Sequence, residues 1–112
     1  MNTIIIEKRG RGKTRDIIQL CHKMNSESSY NNTVILVNDN RRAHYLMHLA
    51  QAIGCGDIPM PVTIDEIMGS NGKLVKHHYT KVLIDDVDAV LQSLLFPLYV
   101  EGISISYPKE DH

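Results

Sequence analysis

The sequence lacks long apolar runs and has few cysteines. No stretch approaches the length of a membrane-spanning helix. The apolar run at residues 4–6 is too short for a secretory signal, and charges follow it at once. For the two cysteines, Cys21 and Cys55, reduced free thiols in a cytoplasm are the expectation. We therefore expect a cytoplasmic protein without a membrane partner.

Net charge is also nearly absent. The formal charge is −1 and the pI is about 6.6, so the domain as a whole is not built to coat nucleic acid. Internal repeats and low-complexity tracts are missing too. With 112 residues and 43% hydrophobic content, the chain is expected to form one domain over residues 1–112 with its own core. Basic residues do cluster near the start of the chain, at Lys8, Arg9, Arg11, Lys13 and Arg15.

Short apolar runs alternate with segments of helical periodicity. The runs are continuous and rich in β-branched residues, which is typical of strands in a parallel sheet that is covered on both faces. The predicted strands lie at residues 3–6, 33–37, 81–85 and 102–106, and the predicted helices at 14–24, 41–53 and 87–95. This order predicts a three-layer α/β/α sandwich with a four-stranded, mainly parallel sheet and right-handed crossovers.

The remaining segments carry local signals. Residues 58–62 are expected to be an extended connector, because each of two prolines biases its predecessor away from helix. Thr63 and Glu66 form a capping box for a short helix. Residues 69–80 are interpreted as a flexible basic segment. His44 and His48 have a spacing that suits a metal, but a solvated polar face of the second helix is favoured.

The first functional pattern follows the first strand. Gly12, Lys13 and Thr14 stand between an apolar run and a helix, in the context that a phosphate-binding loop requires. Glycines bring backbone N–H groups close to an anion, and the helix N-terminus adds oriented donors. Lys13 would then reach the phosphates and Thr14 would bind Mg²⁺. The alternative is a basic surface turn before an ordinary helix.

The second functional pattern is the pair Asp85 and Asp86, which ends the apolar strand at 81–85. A carboxylate at the carboxyl end of a parallel strand points into the crevice where open α/β sheets bind ligands. Asp85 is therefore placed to hold the Mg²⁺ shell, and Asp86 to orient or activate a water molecule.

Together these two patterns resemble the Walker A and Walker B motifs of P-loop NTPases. The chain is most similar to small phage-type proteins of the branch that includes helicases and terminase ATPases, reduced to a minimal core. The resemblance implies ATP and Mg²⁺ as cofactors, a location in the host cytoplasm, and a last strand lying between the two motif strands. It also implies a polar residue that senses the γ-phosphate, a position that Ser106 matches.

The resemblance assigns roles residue by residue. The cofactor-binding set is Arg9, Gly10, Arg11, Gly12, Lys13, Thr14 and Ser106; the metal ligands are Thr14 and Asp85; the catalytic residues are Lys13 and Asp86. Hydrolysis is expected to be slow or dependent on a partner, because Asp86 stands where relatives have the longer glutamate. Relatives often complete the site with an arginine from a neighbouring subunit, and Arg41 or Arg42 would serve in a homo-oligomer.

Two other functions remain open. Glu7 stands where the full motif has its first glycine, and this favours a degenerate P-loop fold that acts as a non-catalytic protein-interaction module of a phage. The third hypothesis is a nucleic-acid-associated accessory protein that uses Arg9, Arg11 and the basic segment at residues 73–81.

Overall fold

The computed structural model describes residues 3–6, 13–70 and 72–98, with side chains described from Thr14 onward. Within them the chain alternates between strands and helices. The strands are β1 (Thr3–Ile6), β2 (Thr33–Val37), β3 (Val62–Thr63) and β4 (Lys81–Ile84). The helices are α1 (Lys13–Ser26), α2 (Asn40–Ala52), α3 (Ile64–Met68), α4 (Gly72–His78) and α5 (Val87–Leu95).

The strands form one parallel sheet in the order β1-β4-β2-β3. Strand β4 is central and pairs with β1 from Thr3↔Lys81 to Ile6↔Ile84. It pairs with β2 from Thr33↔Lys81 onward, while the two-residue β3 adds to the end of β2. Because every pairing is parallel, the carboxyl ends of all these strands meet at one edge of the sheet.

The predicted strand order is wrong. A last strand was expected between the two motif strands, but β1 and β4 pair directly along their whole length and leave no ladder for another strand. The predicted strand at 102–106 itself lies outside the described residues. Only three of the predicted strands are therefore seen in the sheet. The short β3 adds to them from a region interpreted as a connector.

Helices α1 and α2 pack together on one face of the sheet. Ile35 and Leu83 lie opposite each other in the ladder and belong to the same buried cluster as residues of both helices. The cluster contains Ile17, Ile18, Cys21, Ile35, Val37, Ala43, Leu46, Ala50, Cys55, Ile58 and Leu83. Cys21 is fully buried in this cluster, and burial raises the pKa of its thiol to about 12. A thiol in this environment stays protonated and unreactive near neutral pH.

One prediction about the helical part of the chain needs correction. The basic segment at 69–80, interpreted as flexible, contains α4. Gly72 makes the turn from α3 into α4 sterically feasible, because a Cβ there would lie 2.0 Å from the carbonyl oxygen of Ile67. In α5, Val90 is buried, whereas Leu94 and Leu95 near the end of the helix are 44% and 48% exposed.

Asn25 joins the end of α1 to the start of β2. Its side-chain Nδ2 donates to the carbonyl oxygen of Thr33 at 3.0 Å, and the Thr33 N–H donates to Asn25 Oδ1 at 2.8 Å. Both residues are buried. The amide thus satisfies the N–H and the C=O of Thr33, two backbone groups that are buried and would otherwise lack a partner.

We expect the substitution Asn25→Ala to lower the free energy of unfolding by about 2–3 kcal/mol, since it leaves a buried N–H and a buried C=O of Thr33 without this partner. Urea denaturation followed by circular dichroism measures the change. Ser26→Ala is the matched control, because Ser26 is the next residue and is exposed. Equal effects of the two substitutions would contradict the assigned role of Asn25.

Candidate functional site

Three side chains from distant parts of the sequence meet at the carboxyl edge of the sheet. Thr14 lies in the first turn of α1, Asp85 directly follows β4, and Arg42 lies in the first turn of α2. The Asp85 N–H donates to the carbonyl oxygen of Leu36 at 3.1 Å, which carries the β2–β4 pairing one residue further and fixes the position of the carboxylate.

The Arg42 guanidinium bridges the other two side chains. Its Nε donates to Asp85 Oδ2 at 2.6 Å and its Nη2 donates to Thr14 Oγ1 at 2.7 Å. Nη2 is also 3.4 Å from Asp85 Oδ1, and the Thr14 hydroxyl donates to that same oxygen at 3.5 Å. Arg42, Asp85 and Thr14 therefore form one closed hydrogen-bonded group, which we call the Arg42 triad.

The two charges of the Arg42 triad differ in their access to water. The side chain of Asp85 is 7% exposed, whereas that of Arg42 is 36% exposed. The hydrogen bond to Asp85 raises the pKa of Arg42, and partial burial opposes this shift. The arginine thus remains a cation and provides the buried side chain of Asp85 with a positively charged hydrogen-bond partner.

Further contacts hold Arg42 in place. Its backbone N–H donates to Oδ1 of Asp39, the N-cap of α2, at 2.9 Å. Its Cζ atom lies 4.9 Å from the centroid of the Tyr45 ring, in the arrangement of a cation–π contact. The helix cap therefore fixes the backbone of Arg42, while the guanidinium contacts Tyr45 as well as Thr14 and Asp85.

The structure brings together the two residues predicted as metal ligands, Thr14 and Asp85, which are 71 positions apart in the sequence. Lys13 is the first residue of α1, but its side chain lies outside the described residues. The remaining predicted cofactor-binding residues lie wholly outside the described residues; they are Arg9, Gly10, Arg11, Gly12 and Ser106.

Asp86 has a role that the sequence did not suggest. It is the N-cap of α5, and its Oδ1 accepts a hydrogen bond from the Ala89 N–H at 3.3 Å. Its backbone is left-handed, with φ of 54°, which a short polar side chain tolerates best. Asp86 therefore shapes the turn between β4 and α5 and lies next to the Arg42 triad in the sequence.

Sequence reasoning missed the position of Arg42. It treated Arg41 and Arg42 only as arginines offered to a neighbouring subunit, but Arg42 contacts Asp85 of its own chain. The signal that would have located it is its distance from the second strand. Residues that follow β2 and β4 must lie at the same edge, because these strands are parallel neighbours.

A polar cleft of about 720 Å³ lies at the same edge, between the N-terminus of α2 and α3. Its lining residues are Asp39, Asn40, Arg41, Thr63, Asp65, Glu66, Gly69 and Ser70. The predicted cap at Thr63 is confirmed, since its hydroxyl accepts from the Glu66 N–H at 3.2 Å. The cleft thus extends from the residues beside Arg42 to the start of α3.

Two residues of the Arg42 triad, Thr14 and Asp85, carry the oxygen ligands that Mg²⁺ prefers. A threonine hydroxyl and a carboxylate are oxygen ligands, and Mg²⁺ commonly takes one or two protein oxygens and completes its shell with water and phosphate. The chemistry of Thr14 and Asp85 therefore fits this ion. Among the described residues no group of three or more His, Cys, Asp or Glu side chains is placed to hold a metal ion. His44 and His48 are exposed, as the interpretation of a solvated face predicted.

In the part of the chain that the structure describes, no helix has the length and apolar character needed to cross a bilayer. Comparison with known proteins identifies no relative: no family model, no curated protein and no solved structure matches the chain. Its function is therefore inferred from its own residues.

Proposed function

We propose that this protein binds ATP together with Mg²⁺ and belongs to the P-loop NTPase class. The observation that supports this most is the contact between Thr14 and Asp85. Each ends one of the two motifs that the sequence suggested, and their side-chain oxygens lie 3.5 Å apart at the carboxyl edge of a parallel sheet. Open α/β sheets bind their ligands at this edge.

In the proposed complex the phosphates lie at the N-terminus of α1. This helix begins at Lys13 and has 14 residues, so its first N–H groups and its dipole favour an anion. The backbone of residues 9–14 and the Lys13 ammonium bind the phosphate oxygens, while Thr14 and Asp85 hold the metal. When bound, Mg²⁺ neutralises charge on the β- and γ-phosphates. Ser106 would contact the γ-phosphate.

Hydrolysis by the isolated chain is proposed to be slow. A water molecule must be held in line with the γ-phosphate for phosphoryl transfer. Asp86 is the residue proposed to orient it, but one of its carboxylate oxygens already caps α5 through Ala89. The fold proposed for this function is a minimal P-loop core with helices on both faces of the sheet.

Calorimetric titration with ATP and Mg²⁺ tests the proposed function. We expect a binding heat and a rise in the unfolding temperature, because a ligand that binds only the folded state stabilises it. The same titration with ATP and EDTA separates the contribution that depends on the metal. Absence of both heat and thermal shift at millimolar nucleotide, with the protein folded, would disprove nucleotide binding.

The second candidate function is a protein-interaction module built on a degenerate P-loop fold. The contacts of Arg42 favour it, because they satisfy Thr14 and Asp85 within the protein and without a metal. The titration above discriminates between the two functions. A folded protein that gives no heat with ATP and Mg²⁺ would favour the module.

A further inference from the structure

The cation position of the candidate site is filled by a side chain of the protein. Nη2 of Arg42 faces both Thr14 Oγ1, at 2.7 Å, and Asp85 Oδ1, at 3.4 Å. Nε donates a hydrogen bond to the second carboxylate oxygen of Asp85, Oδ2, at 2.6 Å. The guanidinium therefore contacts every side-chain oxygen that Thr14 and Asp85 offer to a metal.

We propose that Arg42 and a divalent cation compete for the Thr14–Asp85 pair, so that Arg42 acts as an internal lock on the cation site. A cation shared by these oxygens would lie against the guanidinium, and two like charges at contact distance repel strongly where little water screens them. Asp85 is buried, so it needs one positive partner but cannot accommodate both at close range.

Release of Arg42 requires no movement of the helix that carries it. The residue lies in the first turn of α2, and its backbone N–H stays bonded to the cap residue Asp39. The side chain is partly exposed and already lies over the ring of Tyr45, which is itself exposed. A change of side-chain rotamer is therefore enough to take the guanidinium away from Asp85 while its contact with an aromatic face is kept.

The nature of the ligand decides whether this exchange is favourable. Mg²⁺ alone would displace the guanidinium and offer it no anion in return. A nucleotide with Mg²⁺ brings the cation for Asp85 and phosphate oxygens for Arg42, and guanidinium groups bind phosphate with two parallel hydrogen bonds. The lock thus makes the site selective for a metal that arrives with a polyphosphate. This selectivity rests on the proposed function, whereas the competition between Arg42 and the cation does not.

The first test uses Mg²⁺ alone as the probe. Calorimetry and thermal unfolding are carried out on the wild type, on Arg42→Ala and on Arg41→Ala. The Arg41→Ala control removes the same charge one position away, from an exposed residue. Because Arg42→Ala removes the charged hydrogen bonds that a cation has to replace, this variant should bind Mg²⁺ at least about tenfold more tightly than the wild type. Arg41→Ala should bind Mg²⁺ as the wild type does.

Equal Mg²⁺ affinities of folded Arg42→Ala and Arg41→Ala would overturn the competition. Because Arg42→Ala leaves Asp85 buried without its partner, Arg42→Gln serves as a second variant that removes the charge but keeps a shorter polar side chain with an amide NH₂ donor. Either variant should also be stabilised more by Mg²⁺ than Arg41→Ala is, seen as a larger rise in the unfolding temperature.

The wild type provides a test that does not depend on the folding of a variant. The Nε–H of Arg42, bonded to Asp85, is observable by NMR and is assigned by its absence from the spectrum of the Arg42→Gln variant. Saturation with ATP and Mg²⁺ should shift this resonance or remove it through exchange with water. An unchanged Nε–H resonance under conditions where calorimetry shows saturation would overturn the displacement of Arg42.

The outcomes separate the lock from the proposed function. If the wild type fails to bind ATP with Mg²⁺ but Arg42→Ala gains a Mg²⁺ site, nucleotide binding is disproved and the competition stands. If the wild type binds ATP with Mg²⁺ and folded Arg42→Ala shows no gain for Mg²⁺, the competition is disproved and nucleotide binding stands.

Discussion

Replacing Lys13 by alanine is expected to weaken the binding of ATP and Mg²⁺ by about 100-fold or more while leaving the fold intact. The ammonium group would donate charged hydrogen bonds to the phosphates, and two such bonds at the lower end of their usual range already exceed about 2.7 kcal/mol, or 100-fold. Lys13 is at the first position of α1, where alanine is a good helix former. Calorimetry measures the affinity, and circular dichroism with thermal unfolding checks the fold.

The control for Lys13→Ala is Lys23→Ala. Lys23 is an exposed lysine in the last turn of the same helix, so its substitution changes the net charge equally but far from the candidate phosphate site. Its nucleotide affinity should match that of the wild type. If the two variants weaken binding to the same extent, long-range charge would explain the effect and Lys13 would have no direct role.

Breaking the Arg42–Asp85 ion pair should give the second large effect, and the effect should differ between the two partners. Arg42→Ala leaves a buried carboxylate unpaired and is expected to lower the free energy of unfolding by about 3 kcal/mol. Asp85→Ala should cost clearly less, since the partly exposed guanidinium can be hydrated instead. In the double variant, loss of Asp85 should recover part of the cost of losing Arg42.

Urea denaturation of the wild type, both single variants and the double variant forms a double-mutant cycle that measures this coupling directly. Arg41→Ala again provides the control and should change the free energy of unfolding by no more than about 0.5 kcal/mol, as exposed substitutions usually do. Additive single effects, each below about 1 kcal/mol, would show that the ion pair contributes as little as a surface salt bridge.

Local features of the fold were predictable because they depend on neighbours in the sequence. The strands at residues 3–6 and 33–37 and the helix at 87–95 coincide with β1, β2 and α5. Continuous β-branched runs favour buried strands, and apolar spacing of three and four favours helices. The cap at Thr63 followed in the same way, since a cap side chain bonds to the backbone only three residues away.

The contact between Thr14 and Asp85 was also predictable, although the two residues are far apart in the sequence. Asp85 ends the predicted strand at 81–85, and Thr14 begins the helix that follows the predicted strand at 3–6. Parallel strands bring such positions to one edge of the sheet whatever the order of the strands. The motifs and their position in the strand order were therefore enough to find two of the three residues of the Arg42 triad.

The order of the strands, the turn into α4 and the conformation of Arg42 depended on tertiary contacts. β1 pairs directly with β4, and no local sequence pattern shows which of several apolar strands will become neighbours in the sheet. The segment at residues 69–80 was interpreted as flexible, but it contains α4, and the close carbonyl oxygen of Ile67 requires glycine at position 72. Arg42 was considered only as an arginine offered to a neighbouring subunit, because a sequence shows a charge and not its partner. Because Asp85 is buried, its carboxylate needs a positively charged partner. Because β2 and β4 are neighbours in the sheet, Arg42 lies close enough to Asp85 to be that partner.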